Sequence, residues 1–164
     1  KYDEIWPHFD RFYIEEFPKL VKHTSPTPLA KQIVQEGLAQ GYRVAIATNP
    51  VFPRVATMER MNWADLSHLP LKCVTVYEES HYTKPAVEYY LEVCETIGVK
   101  PEDCIMVGND VQEDMVASEI GMKTFLVTDY AIDRGKPEYR IDDRGTLAEL
   151  YEKLKRREGI FSGK

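Results

Sequence analysis

Short apolar runs alternate with longer amphipathic segments along this chain. A run of apolar residues without polar alternation is typical of a strand covered on both faces, whereas apolar residues that recur every three or four positions indicate a helix. The runs predict strands at 42–48, 72–77, 104–108 and 123–128. The amphipathic segments predict helices at 3–22, 28–41, 52–62, 86–97, 111–120 and 146–157. This order predicts an α/β fold with a doubly wound, Rossmann-like parallel sheet.

Proline and glycine residues mark where several of these elements begin or end. Pro18 is expected to split or kink the first helix, because proline lacks a backbone N–H donor and clashes with the preceding turn. The stretch Ser-Pro-Thr-Pro at 25–28 is predicted to be a linker that begins the second helix. Gly41 is expected to follow the end of that helix, and Gly98 and Gly121 are predicted to stop later helices.

The composition indicates one domain: the chain has 164 residues, of which 43% are hydrophobic, enough to bury a real core. A net charge of −6 and a pI of about 5.3 argue against nucleic acid or a membrane surface as a partner. The three cysteines are an odd number without a C-x-x-C pair, so the sequence indicates neither a disulfide framework nor a zinc site. We therefore expect a cytoplasmic location.

Thr48 and Asn49 come at the end of a predicted parallel strand, which is where open α/β sheets bind ligands. A hydroxyl at that place, followed by free backbone N–H groups, can hydrogen-bond a phosphoryl oxygen. Thr-Asn-Pro is also ordinary turn chemistry, so these residues could simply cap the strand. From these residues alone both interpretations stay open.

Lys84 precedes Pro85, which is expected to occupy the first turn of a helix. The proline restricts the backbone of its neighbour to extended geometry and so gives the lysine a defined direction. A lysine held in this way can neutralise a nucleophile and phosphoryl oxygens. The alternative is a surface lysine that happens to precede a helix.

Asn109, Asp110 and Asp114 form an oxygen-rich cluster after the predicted strand at 104–108. Asp110 and Asp114 are one helical turn apart, so both carboxylates are expected to project to the same side near the helix start. Such a cluster suits Mg²⁺, a hard ion that takes few protein ligands and keeps several waters. The alternative is structural, because Asp110 could be an N-cap and Asp114 could favour the helix dipole.

These three signals, in this order near the carboxyl ends of predicted strands, resemble motifs II, III and IV of the haloacid dehalogenase superfamily. Thr48 matches the Ser or Thr of motif II, and Lys84-Pro85 matches motif III. The segment 107–114, Val-Gly-Asn-Asp-Val-Gln-Glu-Asp, matches the acidic cluster of motif IV. The resemblance runs from about residue 27 to 130, and its specificity lies in the ordered set.

The resemblance implies Mg²⁺-dependent hydrolysis of a small phosphomonoester, a phosphorylated metabolite, through a phosphoaspartyl intermediate. The residues that it implies are Thr48 and Lys84 for catalysis, Thr48, Asn49 and Lys84 for substrate binding, and Asn109, Asp110 and Asp114 for the metal. Asn109 stands where many members carry an acid. We therefore expect Asp110 to touch the metal directly, and Asp114 to act through water or by orienting Lys84.

Motif I, an apolar strand that ends in Asp-x-Asp and supplies the nucleophile, is not found in this sequence. Phe9-Asp10-Arg11-Phe12 is the nearest match, but no strand pattern precedes it and Phe12 stands where the second aspartate is required. Asp129 and Asp133 have the wrong spacing and follow the last predicted strand. No candidate for the nucleophile is therefore predicted within these 164 residues.

By resemblance, we expect residues 1–24 to be the remnant of a helical cap and residues 25–164 to be a core that lacks its first strand. The chain begins at Lys1 without Met, and we expect it to be the C-terminal part of a longer enzyme and to be inactive alone. The absent strand would lie between those that end at Thr48 and Gly108, where unpaired backbone groups are costly if buried. Marginal stability, or association with its own missing N-terminal segment, is therefore predicted.

Two other classes of protein share parts of this pattern. A non-catalytic module could keep the phosphate and Mg²⁺ pocket without the nucleophile, and it would then bind both ligands without turnover. A nucleotide-binding Rossmann domain is disfavoured, because no G-x-G-x-x-G follows a predicted strand. Receiver-type signalling domains place an acid pair at the end of a strand near the chain start, and no strand is predicted there.

Overall fold

The computed structural model describes residues 2–163 and confirms the alternation of helices and strands. The α-helices of these residues are α1 Tyr2–Arg11, α2 Pro28–Ala39, α3 Arg54–Trp63, α4 Val87–Ile97, α5 Val111–Asp114 and α6 Leu147–Arg156. The strands are β1 Ala45–Ile46, β2 Cys73–Val74, β3 Ile105–Gly108, β4 Lys123–Val127 and β5 Asp143–Gly145. A π-helical turn covers Phe12–Glu16, and 3₁₀ segments cover Phe17–His23, Pro101–Asp103, Met115–Ile120 and Gly159–Phe161.

The strands form two separate parallel sheets. β1 pairs with β2, while β4 lies between β3 and β5 in a second sheet. Across residues 2–163, no strand pairing joins β1 to β3. The strands predicted at 42–48 and 72–77 are reduced to two paired residues each, Ala45–Ile46 and Cys73–Val74.

Hydrophobic periodicity does not predict β5, which consists of Asp143, Arg144 and Gly145. The strand lies at the edge of its sheet, where Asp143 is in register with Phe125 of β4. An edge strand can be polar and very short. Its identity as a strand therefore depends on the pairing with β4 and not on an apolar run.

The helix predicted over 3–22 is not continuous. After α1 and the π-helical turn, 3₁₀ geometry begins at Phe17, immediately before Pro18, as the missing N–H donor of proline predicts. The buried Phe17 ring stacks on Trp63 at a centroid distance of 5.3 Å, which joins this helical region to α3. The helix predicted over 111–120 is likewise α-helical only in its first turn and continues as 3₁₀.

Most helix ends agree with the sequence prediction. Gly41, Gly98 and Gly121 follow the ends of helices with positive φ, which glycine adopts without steric cost. The start of α4 differs, because Ala86 is the N-cap and Pro85 lies outside the helix, after a cis peptide bond. Lys84 is thus part of a loop that leads into α4.

α4 packs against both sheets. Its fully buried Tyr89 and Tyr90 belong to a core cluster that includes Met106 of β3, and Ala45 and Ala47 of the β1 segment pack against the same cluster. A second cluster is formed by β4, α6 and the C-terminal 3₁₀ segment around the buried Phe125 ring. The two sheets are therefore joined through the side chains of a helix.

Two observations bear on the environment of the protein. No helix among residues 2–163 combines the length and the apolar character that crossing a membrane requires. The cysteines Cys73, Cys94 and Cys104 are free thiols, with the sulfur atoms of Cys94 and Cys104 3.7 Å apart.

Candidate active site

The site residues predicted from the sequence meet beyond the carboxyl ends of β1 and β3. Thr48 and Asn49 follow β1, Asp110 and Asp114 bound the first turn after β3, and Lys84 comes from the loop before α4. The Asn49 side-chain oxygen accepts a hydrogen bond from the Lys84 backbone N–H at 3.3 Å, and Lys84 Nζ donates to Asp114 Oδ1 at 2.5 Å. Three separate segments of the sequence thus form one continuous set of contacts.

The backbone at Thr48 is firmly anchored, whereas its hydroxyl is not. The Thr48 carbonyl oxygen accepts hydrogen bonds from Tyr89 OH at 2.6 Å and from Thr75 Oγ1 at 2.8 Å. The Thr48 hydroxyl has only long contacts, at 3.4 Å, with the carbonyl oxygens of Asn49 and Thr75. Because bonds of that length are weak, the hydroxyl can turn to donate to an oxygen atom of a ligand.

Lys84 and Asp114 form a buried ion pair, with side chains that are only 7% and 8% exposed. Lys84 Nζ also lies 5.8 Å from the ring centroids of Tyr89 and Tyr90, within reach of their π faces. Buried charges of this kind persist only where they are paired and hydrogen-bonded. The pair therefore fixes the direction of both side chains.

Gly108 permits the close approach of the Asp114 carboxylate to the end of β3. A Cβ atom at position 108 would lie 2.1 Å from Asp114 Oδ2, far inside van der Waals contact. That oxygen instead accepts a hydrogen bond from the backbone N–H of Asp110 at 3.0 Å. Glycine at position 108, directly before the acidic cluster, thus has a steric reason.

Asp110 is the N-cap of α5, which was the structural alternative for this residue. Its Oδ1 accepts hydrogen bonds from the backbone N–H groups of Gln112 and Glu113 at 3.1 and 3.0 Å, and from Arg134 Nη1 at 2.6 Å. Burial of the Asp110 carboxyl would raise its pKa, but Arg134 and the two backbone donors outweigh burial and lower the pKa below 3.8. The carboxylate is therefore ionised and held in a fixed orientation.

Asn109 makes contacts mainly with the loop that follows β4. Its side-chain Nδ2 donates to the carbonyl oxygen of Tyr130 at 2.9 Å, and its backbone carbonyl accepts from the N–H of Ile132 at 2.8 Å. The amide oxygen Oδ1 of Asn109 accepts no hydrogen bond from the residues that the structure describes. One polar atom of this side chain is thus left for a ligand.

Asn109 and Asp110 of the acidic segment each have a side-chain oxygen atom that accepts no hydrogen bond from the described residues. Both oxygens of Asp114 are engaged, by Lys84 and by the N–H of Asp110, whereas Asp110 Oδ2 accepts no hydrogen bond from residues 2–163. Mg²⁺ is commonly held by one or two carboxylates and several waters, so Asp110 Oδ2 and Asn109 Oδ1 are oxygens of this segment that could take part in holding the ion. The described residues contain no group of three or more His, Cys, Asp or Glu side chains that could hold a metal, so they would supply part of the coordination only.

The other aspartates considered as nucleophiles lie elsewhere. Asp10 is exposed on α1. Asp129 accepts a hydrogen bond from the backbone N–H of Leu147 at the start of α6, and Asp133 accepts one from that of Gly135. None of the three follows β1 or β3.

Sequence reasoning does not find four residues that hold this site together. Tyr89 and Tyr90 belong to an amphipathic helix and give no separate signal that their hydroxyls bond the carbonyl oxygens of Thr48 and Glu113. Gln112 belongs to a predicted helix and Arg134 to a loop without periodicity, and only the fold shows that Gln112 contacts Arg134 and that Arg134 contacts Asp110.

Comparison with known proteins gives a consistent result. The family model described as haloacid dehalogenase-like hydrolase matches residues 1–127. Glyceraldehyde 3-phosphate phosphatase of Methanothermobacter thermautotrophicus is 27% identical over 134 residues, which cover 76% of this chain and 58% of that protein. Phosphoglycolate phosphatase of Nitrosospira multiformis is 28% identical over 134 residues, which cover 74% of this chain and 54% of that protein. The chain thus spans little more than half the length of these relatives.

A solved structure is similar in fold. It is the putative HAD-hydrolase YfnB of Bacillus subtilis bound to magnesium, which superimposes with a TM-score of 0.60 at 26% identity. The match covers 76% of this chain and 53% of that one. The α/β class with parallel strands that the sequence predicts is therefore confirmed by the structure and by this neighbour.

Proposed function

The chain belongs to the haloacid dehalogenase-like hydrolases, and we propose that it carries the phosphate-binding and metal-binding part of a Mg²⁺-dependent phosphomonoester hydrolase. The observation that supports this best is the buried pair of Lys84 and Asp114, packed over Gly108 and hydrogen-bonded to the backbone of Asp110. A cation and two carboxylates beyond the carboxyl ends of parallel strands can receive a phosphoryl group beside a divalent ion.

In this proposal Thr48, Asn49 and Lys84 bind the phosphoryl group. The Thr48 hydroxyl, which is held only weakly by protein acceptors, donates to a phosphoryl oxygen. Asn49 holds the Lys84 backbone and so sets where the lysine enters the site. Lys84 neutralises charge on the nucleophile and on the transferring group, and Asp114 orients its ammonium group.

Asp110 is proposed as the direct ligand of Mg²⁺ through Oδ2, with Asn109 Oδ1 as a further oxygen ligand. When bound, the ion supplies positive charge against the phosphoryl oxygens. The two backbone N–H groups on Asp110 Oδ1 fix the carboxylate before any ligand arrives. Little reorganisation is then needed at the moment of reaction.

The attacking aspartate is proposed to come from sequence upstream of Lys1, on a strand that inserts between β1 and β3. A second aspartate two residues later would protonate the leaving group. The open edges of the two sheets support this: β1 and β3 both contact the cluster on α4 yet are not paired within the described residues. Val107 of β3 is 38% exposed, unlike the buried core of β4.

The substrate is proposed to be a small phosphorylated metabolite of the cytoplasm. The two relatives described above act, by their names, on glyceraldehyde 3-phosphate and phosphoglycolate, and both compounds are small phosphomonoesters. The free thiols of the three cysteines are compatible with a reducing compartment.

The test is hydrolysis of p-nitrophenyl phosphate, with and without Mg²⁺, by this chain and by the chain extended upstream with the sequence that precedes it in its gene. We expect Mg²⁺-dependent turnover by the extended protein only. In that protein Lys84→Met is expected to lower kcat by about 100-fold or more, because a preorganised charge at the phosphoryl group is lost. Lys72→Met removes an exposed lysine and serves as the matched control.

Two results would contradict the proposal. Equal turnover by both proteins would place the nucleophile within the present chain. No turnover by the extended protein, despite stabilisation by orthophosphate and Mg²⁺, would identify a non-catalytic binding module. Melting temperatures of the variants, measured in parallel, separate loss of chemistry from loss of fold.

A further inference from the structure

The loop after β4 is docked onto the acidic segment. A parallel bridge pairs Asp110 with Ile132: the N–H of Ile132 donates to the carbonyl of Asn109 at 2.8 Å, and the N–H of Val111 donates to the carbonyl of Ile132 at 2.9 Å. The Asn109 side chain adds a third hydrogen bond, to Tyr130. The backbone of the loop is therefore held beside the N-cap of α5.

Gln112 fastens the next part of this loop. Its buried amide donates to Asp133 Oδ1 and to the carbonyl of Pro137, both at 3.1 Å, and accepts from the backbone N–H of Arg134 at 2.8 Å. The donors and the acceptor of one buried side chain thus determine the position of residues 133–137. The consequence is that the Arg134 side chain starts from a fixed backbone position beside Asp110.

The Arg134 guanidinium binds the same carboxylate that is proposed to hold Mg²⁺. Arg134 Nη1 lies 2.6 Å from Asp110 Oδ1, and the two side chains are 51% and 11% exposed. The backbone of Arg134 is held by Gln112, but its half-exposed guanidinium has room to move into solvent. A divalent ion bound to Asp110 Oδ2 and the guanidinium bound to Asp110 Oδ1 would share one carboxylate. The two positive charges would therefore be close enough to repel each other.

We propose that Arg134 is a resident counter-ion of Asp110 that competes with Mg²⁺ and leaves the carboxylate when the metal binds. This inference rests on the proposed function, because it takes Asp110 as the metal ligand. In the metal-free protein the guanidinium balances the charge of a carboxylate that is otherwise buried. Metal binding exchanges one cation for another, while the bridge at Ile132 and the Gln112 contacts keep the loop in place. Arg134 is thus a positioning residue that sets metal affinity.

The test is calorimetric titration of Mg²⁺ into this chain and into Arg134→Gln, Arg134→Lys and Arg140→Gln. Arg140 lies on the same loop, is about as exposed, and pairs with Asp142 instead of the acidic segment, so its variant controls for the loss of one positive charge. We expect Arg134→Gln to bind Mg²⁺ at least about fivefold more tightly than the wild type, because the competing cation is removed. Arg140→Gln is expected to stay within about twofold of the wild type, as a distant screened charge should. Arg134→Lys keeps the charge and is expected to stay near the wild-type affinity.

The outcomes separate this inference from the proposed function. If the wild type binds Mg²⁺ and Arg134→Gln binds it equally or more weakly, Arg134 does not compete, although the metal site stands. If Arg134→Gln and Arg140→Gln gain affinity equally, the effect is general electrostatics and the inference is wrong. If no variant binds Mg²⁺ at millimolar concentration, either in this chain or in the upstream-extended protein, Asp110 is not a metal ligand and the metal part of the proposed function fails with it. Circular dichroism of each variant verifies that the loop substitutions leave the fold intact.

Discussion

Gly108 sets how closely the Asp114 carboxylate approaches the end of β3. The three atoms nearest to a Cβ at this position all belong to the Asp114 side chain, at 2.1 to 2.5 Å. Asp114 in turn determines the position of Lys84. The buried pair of Lys84 and Asp114 therefore requires glycine at position 108, because any larger side chain would occupy the place of the Asp114 carboxylate.

Gly108→Ala is expected to lower the free energy of unfolding by about 1–3 kcal/mol, because the new methyl group must displace a buried, paired carboxylate. Urea denaturation measures this. Gly37→Ala is the matched control: its Cβ would lie 3.5 Å from Val44 Cγ2, an ordinary contact, inside α2. There alanine is expected to raise stability by about 0.5–1 kcal/mol. Equal effects of the two substitutions would contradict the steric role of Gly108.

At the scale of elements, α4 is hydrogen-bonded to the segments that follow strands of both sheets. Tyr89 OH bonds the carbonyl of Thr48 beyond β1, and Tyr90 OH bonds the carbonyl of Glu113 in the turn after β3. Burial raises the pKa of both phenols, so both remain neutral donors. The two halves of the candidate site are therefore held at a distance that α4 determines.

We expect the double substitution Tyr89→Phe and Tyr90→Phe to lower the free energy of unfolding by about 1–3 kcal/mol, since each removes a buried hydrogen bond without changing the packing of the ring. Tyrosine-to-phenylalanine changes at the exposed Tyr77 and Tyr82 should change the free energy of unfolding by less than about 0.5 kcal/mol. Urea midpoints of the two double variants provide the measurement. Comparable losses would show that the hydroxyls of α4 do not join the sheets.

α6 begins with a capping box that depends on pH. The Thr146 side chain accepts from the N–H of Glu149, and Glu149 Oε2 accepts from the backbone N–H and the hydroxyl of Thr146. The backbone hydrogen bond from Thr146, the hydroxyl bond and the charge of Lys153 together lower the pKa of Glu149 below 4.5. The stabilisation is therefore complete above pH 4.5 and is lost as the pH falls through the lowered value.

Glu149→Gln should remove this contribution. Glutamine still accepts the hydrogen bond from Thr146, but without charge, so the variant is expected to be less stable than the wild type at pH 7 and closer to it at about pH 3. Glu152→Gln on the same helix controls for the loss of one negative charge. The measurement is the urea midpoint of the wild type and of each variant across this pH range. If the wild type stays more stable than Glu149→Gln by the same amount at low pH, this role of Glu149 is excluded.

At the scale of the whole molecule, the two sheets are supported unequally. β4 has strand partners on both edges and is largely buried, whereas β1 pairs with β2 over two residues only. They are connected through α4 and through the packing of α2 against α6, and not through a shared ladder of backbone hydrogen bonds. The marginal stability expected from the sequence stays a prediction. Because β1 and β2 are joined over two residues only, local opening is expected to begin in their sheet.

Hydrogen exchange followed by mass spectrometry should show the difference. Amides in 123–127 are expected to exchange at least about tenfold more slowly than those in 43–49, because opening of a two-residue ladder costs less free energy than opening of a central strand. Uniform protection of both segments would mean that the sheets unfold as one unit. In the upstream-extended protein, the protection of 43–49 is expected to increase if a strand inserts beside β1.

The sequence alone determined the α/β class, most element positions and the order of the polar segments. Strands covered on both faces and helices that end at Gly41, Gly98 and Gly121 are local patterns, so no tertiary information is needed to find them. Thr48, Lys84, Asp110 and Asp114 could be chosen because each stands beside such an element. Their catalytic and metal-binding roles stay predictions.

Only the tertiary structure decided which polar residues meet. The strand identity of Asp143–Gly145, the separation of the sheets, and the contacts of Arg134 and Gln112 with the acidic segment all join parts of the chain that are distant in sequence. Polar residues in loops have no periodicity, and their hydrogen-bond partners are set by how the surrounding elements pack. The reason is physical: the periodic pattern of apolar residues is contained within each element, whereas a hydrogen bond between loops exists only after the fold has brought donor and acceptor within reach.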